Sequence, residues 1–139
     1  MARRRSPAQA SERLILDSGA VIALARDDQR VRGYIRVAVE QQVPIEVPVV
    51  VVAETVRGQR KDARVNWVLR TVGTVPDATE DVGRTAGRLL GETKSSATVD
   101  AMVVAQAVHA GGARILTGDV EDLERLAARH PEVSVLSIS

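Results

Sequence analysis

Apolar residues recur along this chain in two periods, one suited to strands and one to helices. "ERLILD" is a short apolar run closed by an acid and predicts a buried strand; "SGAVIALARDD" after it predicts an apolar helix. In "RVRGYIRVAVEQQ" the apolar positions fall three and four apart, the spacing of an amphipathic helix. "VPIEVP" reads as a second strand, bracketed by Pro44 and Pro48. The signals conflict in "VVVVAETVRG": consecutive valines favour a strand, whereas Pro48 can open a helix and Gly58 can close one.

Helices follow in "ARVNWVLRTV", in "TEDVGRTAGRLLGET" with its acidic first turn, and in "SSATVDAMVVAQAVHAGG", which ends on a glycine pair. Between the first two of these, "GTVPDA" reads as a short strand. A strand "ARILTG", a helix over residues 119–129 and a last strand "EVSVLSI" complete the chain. Strands alternating with helices predict an α/β fold, here a five-stranded parallel sheet flanked by helices on both faces. No repeat or linker divides it.

The 139 residues, 45% of them hydrophobic, suit one domain. A chain of that length buries roughly 68% of its unfolded surface. "MARRRSPAQASER" is basic and polar, so residues 1–12 are expected as a flexible tail and residues 13–139 as the domain. The apolar stretch "LILDSGAVIALA" is interrupted by Asp17 and has no small-residue cleavage site, which speaks against a signal peptide. No window has the length of a transmembrane helix, and a cytoplasmic protein without a membrane partner is the expectation.

The absence of cysteine excludes disulfides and thiolate metal sites, and two histidines, His109 and His130, are too few for a histidine-built zinc centre. Any metal would be held by oxygen. The net charge of +1 marks no global affinity for nucleic acid, yet 17 of the 19 basic residues are arginine, the better bidentate partner of phosphate. Tyr34 and Trp67 are the only aromatics, too few for a surface that stacks successive bases.

The acids are more informative. Asp17 ends the first strand and Asp119 follows "ARILT"; in a parallel sheet the carboxyl ends of all strands share one edge, where such folds bind ligands. Glu54 follows the second strand on that edge, and Asp100 stands in the first turn of the helix leading into "ARILTG". Two carboxylates about 4 Å apart repel by roughly 4 kcal/mol at an effective dielectric near 20, so a gathering of four calls for a cation. Hard oxygen ligands select Mg2+ or Mn2+, ions that activate water and stabilise the leaving oxygen of a phosphodiester.

Each acid also has a plainer reading. Asp119 in "RILTGDVEDLERLA" can cap a helix, with Glu121 and Asp122 as partners of its dipole. Asp100 can be an ordinary first-turn acid, and Glu54 an exposed helix acid. Asp17 is the least easily explained this way. Arg57, Arg60, Lys61 and Arg64 are spaced to line one face of a continuous helix and could grip RNA phosphates, although Gly58 interrupts them and a solvated face is the commoner outcome. His109 suits the end of a helix dipole, and Arg3 to Arg5 could touch RNA or a partner.

Other motifs fail. "GRLLGETKSS" lacks the glycine before Lys94 and ends a helix where a phosphate loop should follow a strand, and no dinucleotide-binding GxGxxG is present. Gly19 stands where a haloacid-dehalogenase phosphatase has its second acid. The only lysines, Lys61 and Lys94, do not supply the lysine of a response-regulator receiver.

Taken in order, Asp17 in "LILDSGAVIAL", Glu54 in "VVAETVRG", Asp100 in "TVDAMVVAQA" and Asp119 in "ILTGDVEDLERLA" resemble the acidic signature of PIN domains. Length and element order resemble the VapC toxins of bacterial type II toxin-antitoxin pairs, over nearly the whole chain. The family often has Thr after the first Asp; Ser18 keeps that hydroxyl here, and Gly19 follows it.

The resemblance implies a Mg2+-dependent endoribonuclease with a five-stranded parallel sheet, a homodimer, and a VapB-like antitoxin whose tail blocks the acidic site. It gives Asp17, Glu54, Asp100 and Asp119 metal-binding and catalytic roles, Thr117, Ser18 and Asp122 supporting ones, and Arg57, Arg60 and Lys61 contact with RNA. It also favours the helix in "VVVVAETVRG". The competing class is a PIN-like binding module that holds a partner protein or a metal without turnover; the presence of all four acids favours the enzyme. The RNA that is cut is not written in the sequence.

Overall fold

In the computed structural model, which describes residues 12–139, the first apolar run forms strand β1 (Leu14–Leu16). Helix α1 (Ser18–Ala25) starts directly behind it, capped by Asp17, and α2 (Gln29–Glu40) is capped by Asp28, which accepts from Val31 N at 3.0 Å. Strand β2 (Ile45–Glu46) is cut to two residues between its prolines. The valine run then becomes helix α3 (Val49–Thr55): Pro48 holds φ at −60°, and its carbonyl accepts from Val51 N and Val52 N. A 3-10 turn (Arg60–Asp62) leads into α4 (Ala63–Thr71). The rest is α5 (Glu80–Thr93), α6 (Thr98–His109), β3 (Ala113–Thr117), α7 (Val120–Leu126) and β4 (Val133–Ser137).

The sheet is parallel throughout and has four strands in the order β2-β1-β3-β4, not the five expected. "GTVPDA" contributes a single bridge, Thr74 beside Glu46, made by Val47 N to the Thr74 carbonyl at 2.8 Å and Thr74 N to the Ile45 carbonyl at 2.9 Å. The pairing stops there because Pro76 has no N–H to extend it and β2 offers only two residues. Gly73 permits the approach, since a Cβ at that position would lie 2.9 Å from the Ile45 carbonyl oxygen.

Successive side chains of a strand point to opposite faces, yet Leu14, Ile15 and Leu16 are all buried, as are Ile115, Leu116 and Thr117 of β3. Both faces of the sheet centre are therefore covered, as the helical flanks expected from the sequence require. Helix α6 buries Ala101, Val103, Val104, Ala105 and Ala107, so nearly its whole circumference is interior. His109 at its end does more than suit the dipole: its Nε2 lies 2.9 Å from Thr85 Oγ1 and 3.1 Å from the Asp81 carbonyl, joining α6 to α5.

Of the tail expected over residues 1–12, only Glu12 lies within the described residues, where its carboxylate is 3.1 Å from Arg114 Nε; Arg3, Arg4 and Arg5, and the contacts expected of them, lie outside. Among the described residues no helix is long and apolar enough to cross a membrane.

Candidate functional site

The order β2-β1-β3-β4 places β1 and β3 side by side at the point where the connections diverge to the two edges of the sheet. A crevice opens there beyond the carboxyl ends of the strands. Asp17 sits at the end of β1, only 4% exposed, with Oδ1 accepting from Ser18 N at 2.8 Å and Oδ2 accepting from Thr117 Oγ1 at 2.7 Å. Thr117, at the end of β3, accepts in turn from Asp119 N at 2.9 Å. The start of α1 packs so closely on the loop after β3 that a Cβ on Gly19 would stand 3.3 Å from Gly118 N.

Asp100 of α6, Asp119 and Asp122 of α7 meet at this mouth, one carboxylate oxygen from each lying within 4.8 Å of the others. The Asp119 side chain makes no full capping hydrogen bond to α7, although the Asp122 N–H at the helix start still favours its charged form. The Asp119 backbone is anchored to Thr117, and its carboxylate is drawn in among Asp122, Asp100 and Asp17. Asp122, three positions on, shares the helix face that opens on Asp100; that spacing was a visible signal for it, although a dipole partner in the first turn reads the same way.

The electrostatics follow from this crowding. Burial pushes the Asp100 carboxyl up to about 6, and the charges of Asp17, Asp119, Asp122 and Glu54 push in the same direction. Asp119 is also raised, by partial burial first and then by Asp122 and Asp17. Glu54, exposed near the end of α3, has the weakest effect of the acids that act on Asp100. All of the acids proposed from the sequence therefore lie within electrostatic reach of Asp100. A set made wholly of carboxylates fits a hard divalent cation.

The sequence profile of the PIN domain matches residues 14–129, a span that takes in every one of these acids. The chain belongs to the PIN domain family. No curated protein matches it by sequence. Among solved structures, this PIN domain is similar to a chain of VapBC2 from Rickettsia felis bound to a DNA fragment from their promoter, with TM-score 0.72 and 12% identity over 89% of this chain and 97% of that one. A chain of VapBC-1 from nontypeable Haemophilus influenzae matches with TM-score 0.67 and 15% identity, covering 90% and 97%. A toxin-antitoxin complex from Klebsiella pneumoniae gives TM-score 0.65 and 18% identity, covering 86% and 94%. At these identities the likeness is one of fold.

The basic stripe is not a helix face in this PIN domain. Helix α3 ends at Thr55, Gly58 takes φ of +75°, and the 3-10 turn intervenes before α4. Arg57 folds back and donates through one guanidinium nitrogen to the carbonyls of Ala53 and Val56, at 2.9 and 3.1 Å. Asp62 Oδ2 accepts from the backbone N–H groups of Arg57 and Gln59, at 2.9 and 3.0 Å, and these bonds hold its carboxyl below the usual range. As a result Arg57 and Lys61 line a cavity of about 400 Å³ together with Glu54, whereas Arg60 lies outside that lining.

Proposed function

We propose that this PIN domain is the toxin of a toxin-antitoxin pair and that it hydrolyses internal RNA phosphodiester bonds with Mg2+ or Mn2+, leaving 5′-phosphate and 3′-hydroxyl ends. The observation that carries the reading is the meeting of Asp100, Asp119 and Asp122 within 4.8 Å, beside Asp17 and Glu54, at the carboxyl edge of a parallel sheet. Bound by these acids, Mg2+ would supply the positive charge that activates water towards phosphorus and stabilises the departing oxygen.

The chain's own contribution is to hold the acids aimed at one place. Asp17 is fixed by Ser18 N and the Thr117 hydroxyl, so its carboxylate keeps one orientation. Thr117 also holds the backbone of Asp119, which presents Asp119 and Asp122 together. Asp100, raised to about 6, must lose its proton to take part, and a cation beside it favours that loss. Glu54 stands between this cluster and the basic cavity, the position of a residue that meets both metal and substrate.

Membership of the PIN family and likeness to chains of VapBC complexes support a VapB-like antitoxin as the partner, with a segment that covers the acidic mouth. A homodimer and action in the cytoplasm belong to the same reading.

Purified protein, free of antitoxin, is incubated with total cellular RNA in Mg2+ or in EDTA, beside an Asp100→Asn variant. Discrete fragments that require both the ion and Asp100 are expected. Intact RNA in every lane, from protein shown to be folded, would transfer the acids to a binding module without turnover.

A further inference from the structure

The cavity next to Glu54 gathers four cations from separate parts of the chain: Arg26 just beyond α1, Arg57 in the loop after α3, Lys61 in the 3-10 turn and Arg64 in α4. Ile22, Ala25, Thr55 and Val65 form the rest of its wall with the acids Glu54 and Asp62. Among the described residues, none of the four cations forms a salt bridge, while Arg13, Arg32, Arg84, Arg114 and Arg125 all do. Asp62 is engaged by backbone N–H groups and keeps its charge, so the cavity holds four positive charges against two carboxylates.

The cations are also placed by the fold. Arg64 Nε donates to the Ala25 carbonyl at the end of α1, and Arg57 to the end of α3, so both guanidinium groups are held with their other nitrogens available. The turn that carries Lys61 is pinned by Asp62 and by the left-handed Gly58. Arg26 and Lys61 are exposed, and their side chains make no hydrogen bond among the described residues. Held guanidinium groups with two free cations beside them form a geometry suited to a phosphate, which guanidinium binds in bidentate fashion.

We infer that this cavity is a phosphate subsite that takes a non-scissile backbone phosphate of the RNA strand. The inference rests on the nuclease reading; to Arg57, Lys61 and Arg64 of the expected stripe it adds Arg26, and it leaves out Arg60. Glu54 borders the cavity and also acts electrostatically on Asp100, so a strand with one phosphate here runs past Glu54 into the acidic mouth. The subsite grips the backbone, and it discriminates among base sequences only weakly.

The test is fluorescence anisotropy of a short fluorescein-labelled single-stranded RNA, titrated with the Asp100→Asn protein so that the strand stays intact. Salt is varied from about 50 to about 200 mM. Adding Arg26→Ala and Lys61→Ala together should weaken binding about tenfold or more at the low-salt end. The slope of log K against log salt should flatten by about 0.7 for each phosphate that the protein no longer neutralises. Arg88→Ala, an exposed cation on α5, is the control and should change neither. If the Asp100→Asn parent binds RNA and the double variant binds with the same affinity and slope, the subsite is wrong and the nuclease reading stands. If the parent binds no RNA at any salt, both fall.

Discussion

The Thr117 hydroxyl donates to Asp17 Oδ2 at 2.7 Å, joining two buried residues that lie 100 positions apart in the chain. Thr117 Oγ1 also accepts from Asp119 N at 2.9 Å. One side chain thus ties the ends of β1 and β3 to the start of the segment that carries Asp119 and Asp122.

Thr117→Val keeps the shape of that side chain and removes both hydrogen bonds. It leaves a buried carboxylate oxygen short of its donor and costs about 1–3 kcal/mol. For a domain of this size the thermal midpoint should fall by roughly 3–10 °C. Thr117→Ser, which keeps the hydroxyl, should recover most of the loss. A Thr117→Val protein that melts with the wild type would show that water replaces the hydroxyl without cost.

Asp100 gives the metal-free protein a pH signature. Its carboxyl titrates near 6 when folded, above the ordinary 3.8, because of burial and then the charges of Asp17, Asp119, Asp122 and Glu54. Between about pH 4 and pH 6 the folded state therefore holds more protons than the unfolded chain, and stability falls as the pH rises through that window. In EDTA, Asp100→Asn should remove this part of the fall in a series of thermal melts. Added Mg2+ should raise the midpoint more at about pH 7 than at about pH 5, where Asp100 is largely protonated. Identical pH profiles for wild type and Asp100→Asn would place the linkage elsewhere.

Asp122 and Glu121 are neighbours in sequence with different expected consequences. Both lie near Arg125, Asp122 at 3.9 Å and Glu121 at 3.7 Å, but Asp122 also contributes an oxygen to the trio with Asp100 and Asp119, whereas Glu121 is exposed. Asp122→Asn should raise the Mg2+ concentration for half-maximal RNA cleavage about tenfold or more, in the range seen when groups around a metal are altered. Glu121→Gln should leave it unchanged. Equal effects of the two substitutions would reduce Asp122 to a contributor to the general negative field.

Gly73→Ala probes the edge of the sheet. The new Cβ would meet the Ile45 carbonyl oxygen at 2.9 Å and Ile45 Cγ2 at 3.1 Å, and the first of these is backbone that cannot swing aside. The Thr74 bridge should open, at a cost of about 1–3 kcal/mol read by denaturant melts. Gly87→Ala, with nothing within 4 Å of its Cβ, should be neutral or slightly stabilising through helix propensity.

The elements were legible from the chain because their signals are short-range. Apolar periodicity marks β1, α2, β3 and α7, whereas in the valine run of α3 the local signals conflict and the family resemblance favours the helix that forms. Parallel pairing follows from the alternation of strands with helices, and it sends Asp17 and Asp119 to one edge without knowledge of any distance.

What the tertiary structure decided is where chain segments end against each other and which way side chains turn. The fifth strand shrinks to one bridge because pairing requires a partner of matching length, and β2 has two residues to offer. The end of β3 is tied to the end of β1 by the Thr117–Asp17 hydrogen bond, and the packing of α6 against α7 brings Asp100 to Asp119 and Asp122. Arg26 meets Lys61 only through the packing of α1 against α4, over a separation that no local pattern encodes. Spacing along the chain determines which residues share a face or an edge. Packing between distant segments, summed over the whole core, determines which of them meet.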